Sequence, residues 1–296
     1  MEGCPRVRRN RLDVDLRSEP GRLRNVHASS PPDDAPADGM TGSPEIHVLE
    51  HEGALADEVA DLLAWAVDQT LHRHAQCRVV LSGGSTPRAL YRTLVRPEWA
   101  GRITWPRIRF FFGDERCVPP DHPDSNYGMA NRELFTPLSI PPTQIARMRG
   151  ESPPEQAARD YEAAIRQEFT VDASVVPQFD VILLGLGDDG HTASLFPGSA
   201  ALEERQRLVI PGQSPVGVPQ RLTLTYPILN RAKLVMFMAT GKKKSAAIQS
   251  ILDAEGTAAL PAAGIRPTDG RLLWYLDEAA ASDLRAHRQR VPQHEE

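Results

Sequence analysis

The chain has 296 residues, 41% of them hydrophobic, and a formal charge of −5. That is enough apolar material for a full core, and the mild acidity offers no general electrostatic reason to bind nucleic acid or an anionic membrane. Three scattered cysteines (Cys4, Cys77, Cys117) make neither a disulfide framework nor a zinc site, and no apolar run nears the ~20 residues that span a bilayer.

These features lead us to expect a soluble protein of the reducing cytoplasm. Residues 1–43 are rich in Arg, Pro, Asp and Ser without hydrophobic periodicity, so a disordered N-terminal extension is expected there. Its arginines suggest an organelle transit peptide, but seven acidic residues argue against one. Met40 is an alternative start, which would make the first 39 residues an upstream extension.

From residue 44 strands and helices alternate. "EIHVLE" reads as a short strand, and "GALADEVADLLAWAVDQTLHRH" places apolar residues at helical spacing. "CRVVLSGG" is a strand feeding the helix "TPRALYRTLV". "RIRFFFGDER" reads as one strand, followed by the helix "NYGMANRELF". "EQAARDYEAAIRQEF" is helical, and "FDVILLGLGDDGH" is an apolar strand opening into a glycine-rich loop. "KLVMFMATG" and "KKKSAAIQSIL" form a further strand and helix, and "GRLLWYLDEAAASDL" closes with another such pair. Apolar strands alternating with helices imply an α/β fold, Rossmann-like, with three layers: a mainly parallel sheet covered by helices on both faces. One domain from 44 to 291 is expected, with ligands bound beyond the carboxyl ends of its strands.

Four loops would gather at that edge. In the first, Gly83 and Gly84 let the backbone approach a ligand, Ser85 or Thr86 can cap the following helix, and the helix start attracts an anion such as phosphate. The second holds Asp114, Glu115 and Arg116: Arg116 can fork onto phosphate or a sugar oxygen and Asp114 can hold hydroxyls, or the acid and the arginine can pair to brace the loop. In the third, His191 follows Asp188 and Asp189 among glycines. An imidazole titrates near 6.5 in isolation and is the natural base at neutral pH, with Asp189 fixing its tautomer. One histidine and two aspartates are thin evidence for a metal. In the fourth, Arg221 precedes a strand-like alternation, and one of Lys242 to Lys244 can complete a phosphate site.

The motifs "LSGGSTP", "FFGDERCVPPDHPDSNYGMA", "GLGDDGHTASLFPG", "RLTLTYPILNRAKLVMFMATGKKK" and "LPAAGIRPTDGRLLWYLDEAAA" together resemble the family of glucosamine-6-phosphate isomerases and 6-phosphogluconolactonases, and its lactonase branch in particular. The resemblance covers residues 44–285. It implies a Rossmann-like fold and hydrolysis of 6-phospho-D-glucono-1,5-lactone in the oxidative pentose phosphate pathway, with no metal or organic cofactor. It implies a sugar-phosphate lactone as partner, no nucleic acid or membrane, and a functional link to glucose-6-phosphate dehydrogenase without a physical complex.

Carried over, Gly83, Gly84, Ser85 and Thr86 would cradle the substrate phosphate, with Arg116 and Lys244 at substrate-binding positions. His191 matches the lactonase base, Asp189 its orienter, and Asp114 the proton-transferring aspartate of the deaminases. The expected mechanism has His191 deprotonate water, with Arg116 or backbone N–H groups near Gly190 steadying the oxyanion. A deaminase is the closest rival, but the glutamate that follows the histidine by five residues in that branch is Phe196 here. A non-catalytic sugar-phosphate sensor is the rival from another class.

Overall fold

The computed structural model describes residues 44–253 and 260–284; the expectations for residues 1–43, for the start at Met40 and for the domain end at 291 lie outside these. In chain order the elements are β1 (Glu45–Leu49), α1 (Glu52–Arg73), β2 (Cys77–Leu81), α2 (Ser85–Leu94), α3 (Pro97–Ala100), β3 (Ile108–Phe112), β4 (Asp114–Arg116), α4 (Asn126–Ala130), α5 (Pro154–Phe169), β5 (Val181–Gly185), β6 (Val209–Gln213), β7 (Gln220–Leu224), α6 (Tyr226–Leu229), β8 (Leu234–Ala239), α7 (Ser245–Leu252), β9 (Arg271–Asp277) and α8 (Glu278–Ala281). None of the described helices is long and apolar enough to cross a membrane.

Six strands form a wholly parallel sheet in the order β1-β9-β8-β5-β2-β3. Because side chains alternate along a strand, the continuous apolar runs split between two cores. Val79, Leu81, Phe110, Phe112, Leu183 and Met238 pack on the face carrying α1 and α2, whereas Val80, Phe111, Ile182, Leu184 and Phe237 pack on the face carrying α5 and α7. Both faces are therefore buried, as the three-layer expectation requires. After β2 the chain steps outward to β3, then returns to the other side of β2 at β5 and continues outward through β8. The order thus reverses between β2 and β5, which is where an open α/β sheet leaves a crevice beyond its carboxyl ends.

The structure corrects one predicted strand and adds a sheet. "RIRFFFGDER" is two strands, because the chain leaves the main sheet at Gly113, whose N–H donates to Leu81 O (2.9 Å) and whose C=O accepts from Leu224 N (2.8 Å). Beyond it, β4 pairs antiparallel with β7, and β7 with β6, giving a three-stranded sheet. Arg221, expected ahead of a strand, lies inside β7. β6 contains Pro211 and Gly212, which weaken its sequence signal; as an edge strand it tolerates a residue without an N–H.

Candidate active site

A cavity of about 260 Å³ opens at the crevice, lined among others by Gly83, Gly84, Ser85, Thr86, Asp114, Arg116, His191, Arg221 and Lys244. Residues from the ends of β2, β5 and β8 and from the small sheet thus converge on one space.

The first wall is the β2–α2 turn. Gly84 has φ +107°, open to glycine at no steric cost, and it caps α2 with no side-chain hydrogen bond. Neither Ser85 nor Thr86 caps the helix, contrary to the sequence-based expectation; Thr86 Oγ1 instead meets Thr240 Oγ1 at 2.9 Å. The N–H groups of the first turn are thereby left for a ligand, at the positive end of the helix dipole. Lys244 completes this wall. Burial pushes its ammonium below the ordinary value against the opposing pull of Asp188, Asp277 and Glu52, and a desolvated ammonium gains from a direct oxygen partner. Lys242 points elsewhere, pairing with Asp283 at 3.0 Å.

The second wall is β4 and β7. The antiparallel register sets Arg116 directly opposite Arg221 and Asp114 opposite Thr223, and the two-residue period puts Asp114 and Arg116 on one face. Glu115 points the other way and is buried. Its carboxylate accepts the N–H groups of Arg116 (2.8 Å), Asn126 (2.7 Å) and Tyr127 (2.8 Å) and the hydroxyl of Ser125 (3.1 Å). Burial raises its carboxyl above the ordinary value, and these bonds oppose that rise. Glu115 therefore does the bracing that a pairing of Asp114 with Arg116 was an alternative candidate for.

Arg116 Nη1 donates to Asp124 O at 2.5 Å, and Arg221 Nη2 donates to Ser214 Oγ (3.3 Å) and Val216 O (3.4 Å). The Nε atoms of both arginines are buried and without a partner. Burial and the neighbouring Arg116 charge lower the Arg221 guanidinium, with Asp114 and Glu115 pulling the other way. Two adjacent cations with unsatisfied donors favour an anionic or oxygen-rich ligand.

The third wall is the β5 loop. His191 Nδ1 lies 2.5 Å from Asp189 Oδ1, and the same oxygen accepts the His191 backbone N–H at 3.1 Å. Burial works to raise the Asp189 carboxyl, but the backbone and ring hydrogen bonds from His191 outweigh it and hold it below the ordinary range. The proton between the two groups therefore belongs on Nδ1, which leaves the Nε2 lone pair as the basic position. Gly187 is required by close approach: a Cβ there would stand 2.0 Å from His191 Nδ1. The Phe196 ring packs on the imidazole, centroids 4.5 Å apart.

Of the catalytic and binding side chains and the phosphate turn expected from sequence, all line the cavity except Asp189, which touches it through His191; Gly190 does not line it either. The expected oxyanion donors need a correction. Gly190 N donates to Gly187 O (3.0 Å) and His191 N to Asp189, so those two N–H groups are engaged. Asn126, Ser194 and Gly187 are additional, as is the bracing role of Glu115. "SN" before a helix does signal a cap at Ser125, but nothing local reveals that Asn126 reaches Asp114. Among the described residues, no group of three or more His, Cys, Asp or Glu is gathered to hold a metal.

Comparison with known proteins decides the family. Residues 50–274 match the family model described as glucosamine-6-phosphate isomerases/6-phosphogluconolactonase. The chain belongs to this family. It is 43% identical over 250 residues to a 6-phosphogluconolactonase from Rattus norvegicus, covering 83% of this chain and 94% of the relative. A Synechocystis 6-phosphogluconolactonase is 40% identical over 245 residues, covering 82% and 99%. Among solved structures, 6-phosphogluconolactonase from Trypanosoma cruzi superposes with a TM-score of 0.74 at 32% identity, covering 83% of this chain and 99% of that one. The family's fold is thus shared over nearly the whole length of these relatives.

Proposed function

We propose that this chain hydrolyses 6-phospho-D-glucono-1,5-lactone to 6-phospho-D-gluconate, the reaction named in its relatives. The observation that carries the reading is the coexistence in one small cavity of an oriented imidazole and an uncapped helix N-terminus beside a half-buried lysine. Ser85, Thr86 and the Gly83–Gly84 turn, with Lys244 and Arg221, hold the substrate phosphate. That anchor places the lactone carbonyl carbon toward His191.

His191 Nε2 takes a proton from water as the water oxygen bonds to C1. Arg116 stabilises the carbonyl oxygen as it becomes an oxyanion. The tetrahedral intermediate collapses with cleavage of the bond between C1 and the ring oxygen, and the imidazolium returns its proton to that oxygen. Asp189 holds the imidazole and stays ionised throughout, as its lowered carboxyl requires. Asp114 accepts sugar hydroxyls. Phe196 supports the lactonase reading over the deaminase one, because it fills with an apolar ring the place where the latter branch carries a carboxylate. Residues 44–291 act as one catalytic domain in the cytoplasm, on a soluble lactone supplied by glucose-6-phosphate dehydrogenase, with no nucleic-acid or membrane partner.

The test compares 6-phosphogluconolactone with unphosphorylated gluconolactone, each corrected for spontaneous opening, and monitors ammonia release from glucosamine 6-phosphate. The reading predicts a strong preference for the phosphorylated lactone and no ammonia. Equal turnover of both lactones would remove the phosphate anchor, and ammonia release would favour the deaminase.

A further inference from the structure

Asp114 sits on the same strand face as Arg116 and close enough to Arg221 for its charge to act on that guanidinium. A buried carboxylate beside two under-satisfied arginines should swing onto one of them, because opposite charges in a poorly solvated site attract strongly. Yet among the described residues neither arginine forms an ion pair with it. The carboxylate is held away instead. Its Oδ1 accepts from Asn126 Nδ2 (3.0 Å), and the same amide also donates to the Asp114 carbonyl (2.9 Å). Its Oδ2 accepts from Ser194 Oγ at 2.7 Å.

Both clamps are themselves fixed and almost wholly buried. Asn126 is tied through its backbone N–H to Glu115, and its Oδ1 would stand 1.9 Å from a Cβ at Gly83, so the amide is pressed between the phosphate turn and Asp114. Ser194 N–H donates to Thr223 Oγ1 at 3.2 Å, the residue opposite Asp114 across the β4–β7 ladder.

From this geometry we infer that Asn126 and Ser194 are positioning residues that keep Asp114 from forming a salt bridge with Arg116 or Arg221, so that both guanidiniums stay available to the oxygens of an anionic ligand. The inference rests on the lactonase reading for the identity of the substrate, but the clamp acts on any anion. Removing either donor lets the carboxylate turn to an arginine. The arginine that it neutralises is then lost to the ligand.

The test is a double-mutant cycle with Asp114→Asn, read by calorimetric binding of inorganic phosphate and by lactone kcat/KM, with thermal melting as a check on folding. Ser194→Ala should weaken phosphate binding and lower kcat/KM each by about tenfold, the scale of one lost charge-assisted hydrogen bond. In the Asp114→Asn background, where no carboxylate remains to turn, the same substitution should change phosphate binding by less than about twofold. Asn126→Ala provides a second, independent cycle with the same expected pattern, and it decides the matter should Ser194→Ala fail to fold. Equal losses in both backgrounds would assign the two residues a purely structural role and overturn the inference, as would unchanged phosphate binding in the single variants. Absence of wild-type lactone turnover would overturn the lactonase reading alone, since the phosphate arm still reports on the clamp.

Discussion

Gly187→Ala is the most direct structural probe of the histidine. A Cβ at this position would stand 2.0 Å from His191 Nδ1, 2.2 Å from Cε1 and 2.7 Å from Asp189 Oδ1. Ordinary van der Waals contact begins near 3.4 Å, so the imidazole must retreat by more than an ångström, and its partner carboxylate must yield as well. The backbone of Gly187 is not in the left-handed region, so alanine introduces no strain there and the fold should survive. Its N–H bond to His191 O (2.8 Å) does not depend on the side chain. Displacing a catalytic group by ~1 Å costs on the order of 10²-fold in rate. We therefore expect kcat to fall about 10²-fold, with KM within about threefold because the phosphate wall is untouched. The assay is initial-rate hydrolysis of freshly generated 6-phosphogluconolactone with the spontaneous rate subtracted, and melting curves to confirm folding. A folded Gly187→Ala enzyme with wild-type kcat would refute the placement of His191 as base.

Other outcomes follow from the same geometry. Lys244→Ala should raise KM about tenfold or more while kcat changes little, because the lysine binds phosphate equally in ground and transition states; a fall in kcat alone in steady-state assays would place it in the chemistry instead. Asp189 has its carboxyl held below the ordinary 3.8, so its contribution to stability is present above about pH 3.8 and is lost as pH falls through the lowered value. Melting curves of wild type and Asp189→Asn should then run parallel from pH 8 to about pH 5 and converge only at lower pH; convergence near neutrality would contradict the assigned hydrogen bonds. Glu115 has the opposite sign. Its raised carboxyl makes its contribution fullest below the ordinary 4.5 and smaller as pH rises through the folded value. The stability advantage of wild type over Glu115→Gln should therefore shrink on going from pH 4 toward pH 7, and an advantage that grows over that range in thermal melts would argue against it.

The parallel sheet was legible because its strands are near-continuous apolar runs, a pattern that only a doubly covered sheet requires. The phosphate turn and the histidine loop were legible for a related reason: glycines and polar residues directly after such strands must lie at the carboxyl edge. The small antiparallel sheet was not. Its β6 strand carries Pro211 and Gly212, and β4 is only three residues long, so neither presents a periodicity to read. That omission also hid the register that sets Arg116 against Arg221. Asn126 and Ser194 escaped notice because their partner, Asp114, is 12 and 80 residues away in the chain, and polar residues in loops carry no sign of what they will reach. The run Lys242 to Lys244 does not by itself say which lysine faces the site; the resemblance points to Lys244, and that residue lines the cavity while Lys242 pairs with Asp283.

The measurement that bears most directly on the account is kcat/KM for 6-phosphogluconolactone in wild type and His191→Ala side by side, after subtraction of spontaneous opening. The account predicts rapid turnover by the wild type and a loss of about 10²–10⁴-fold in the variant, the range a positioned general base supplies. A folded variant that retains wild-type kcat/KM, or a folded wild type no faster than the uncatalysed reaction, would contradict it.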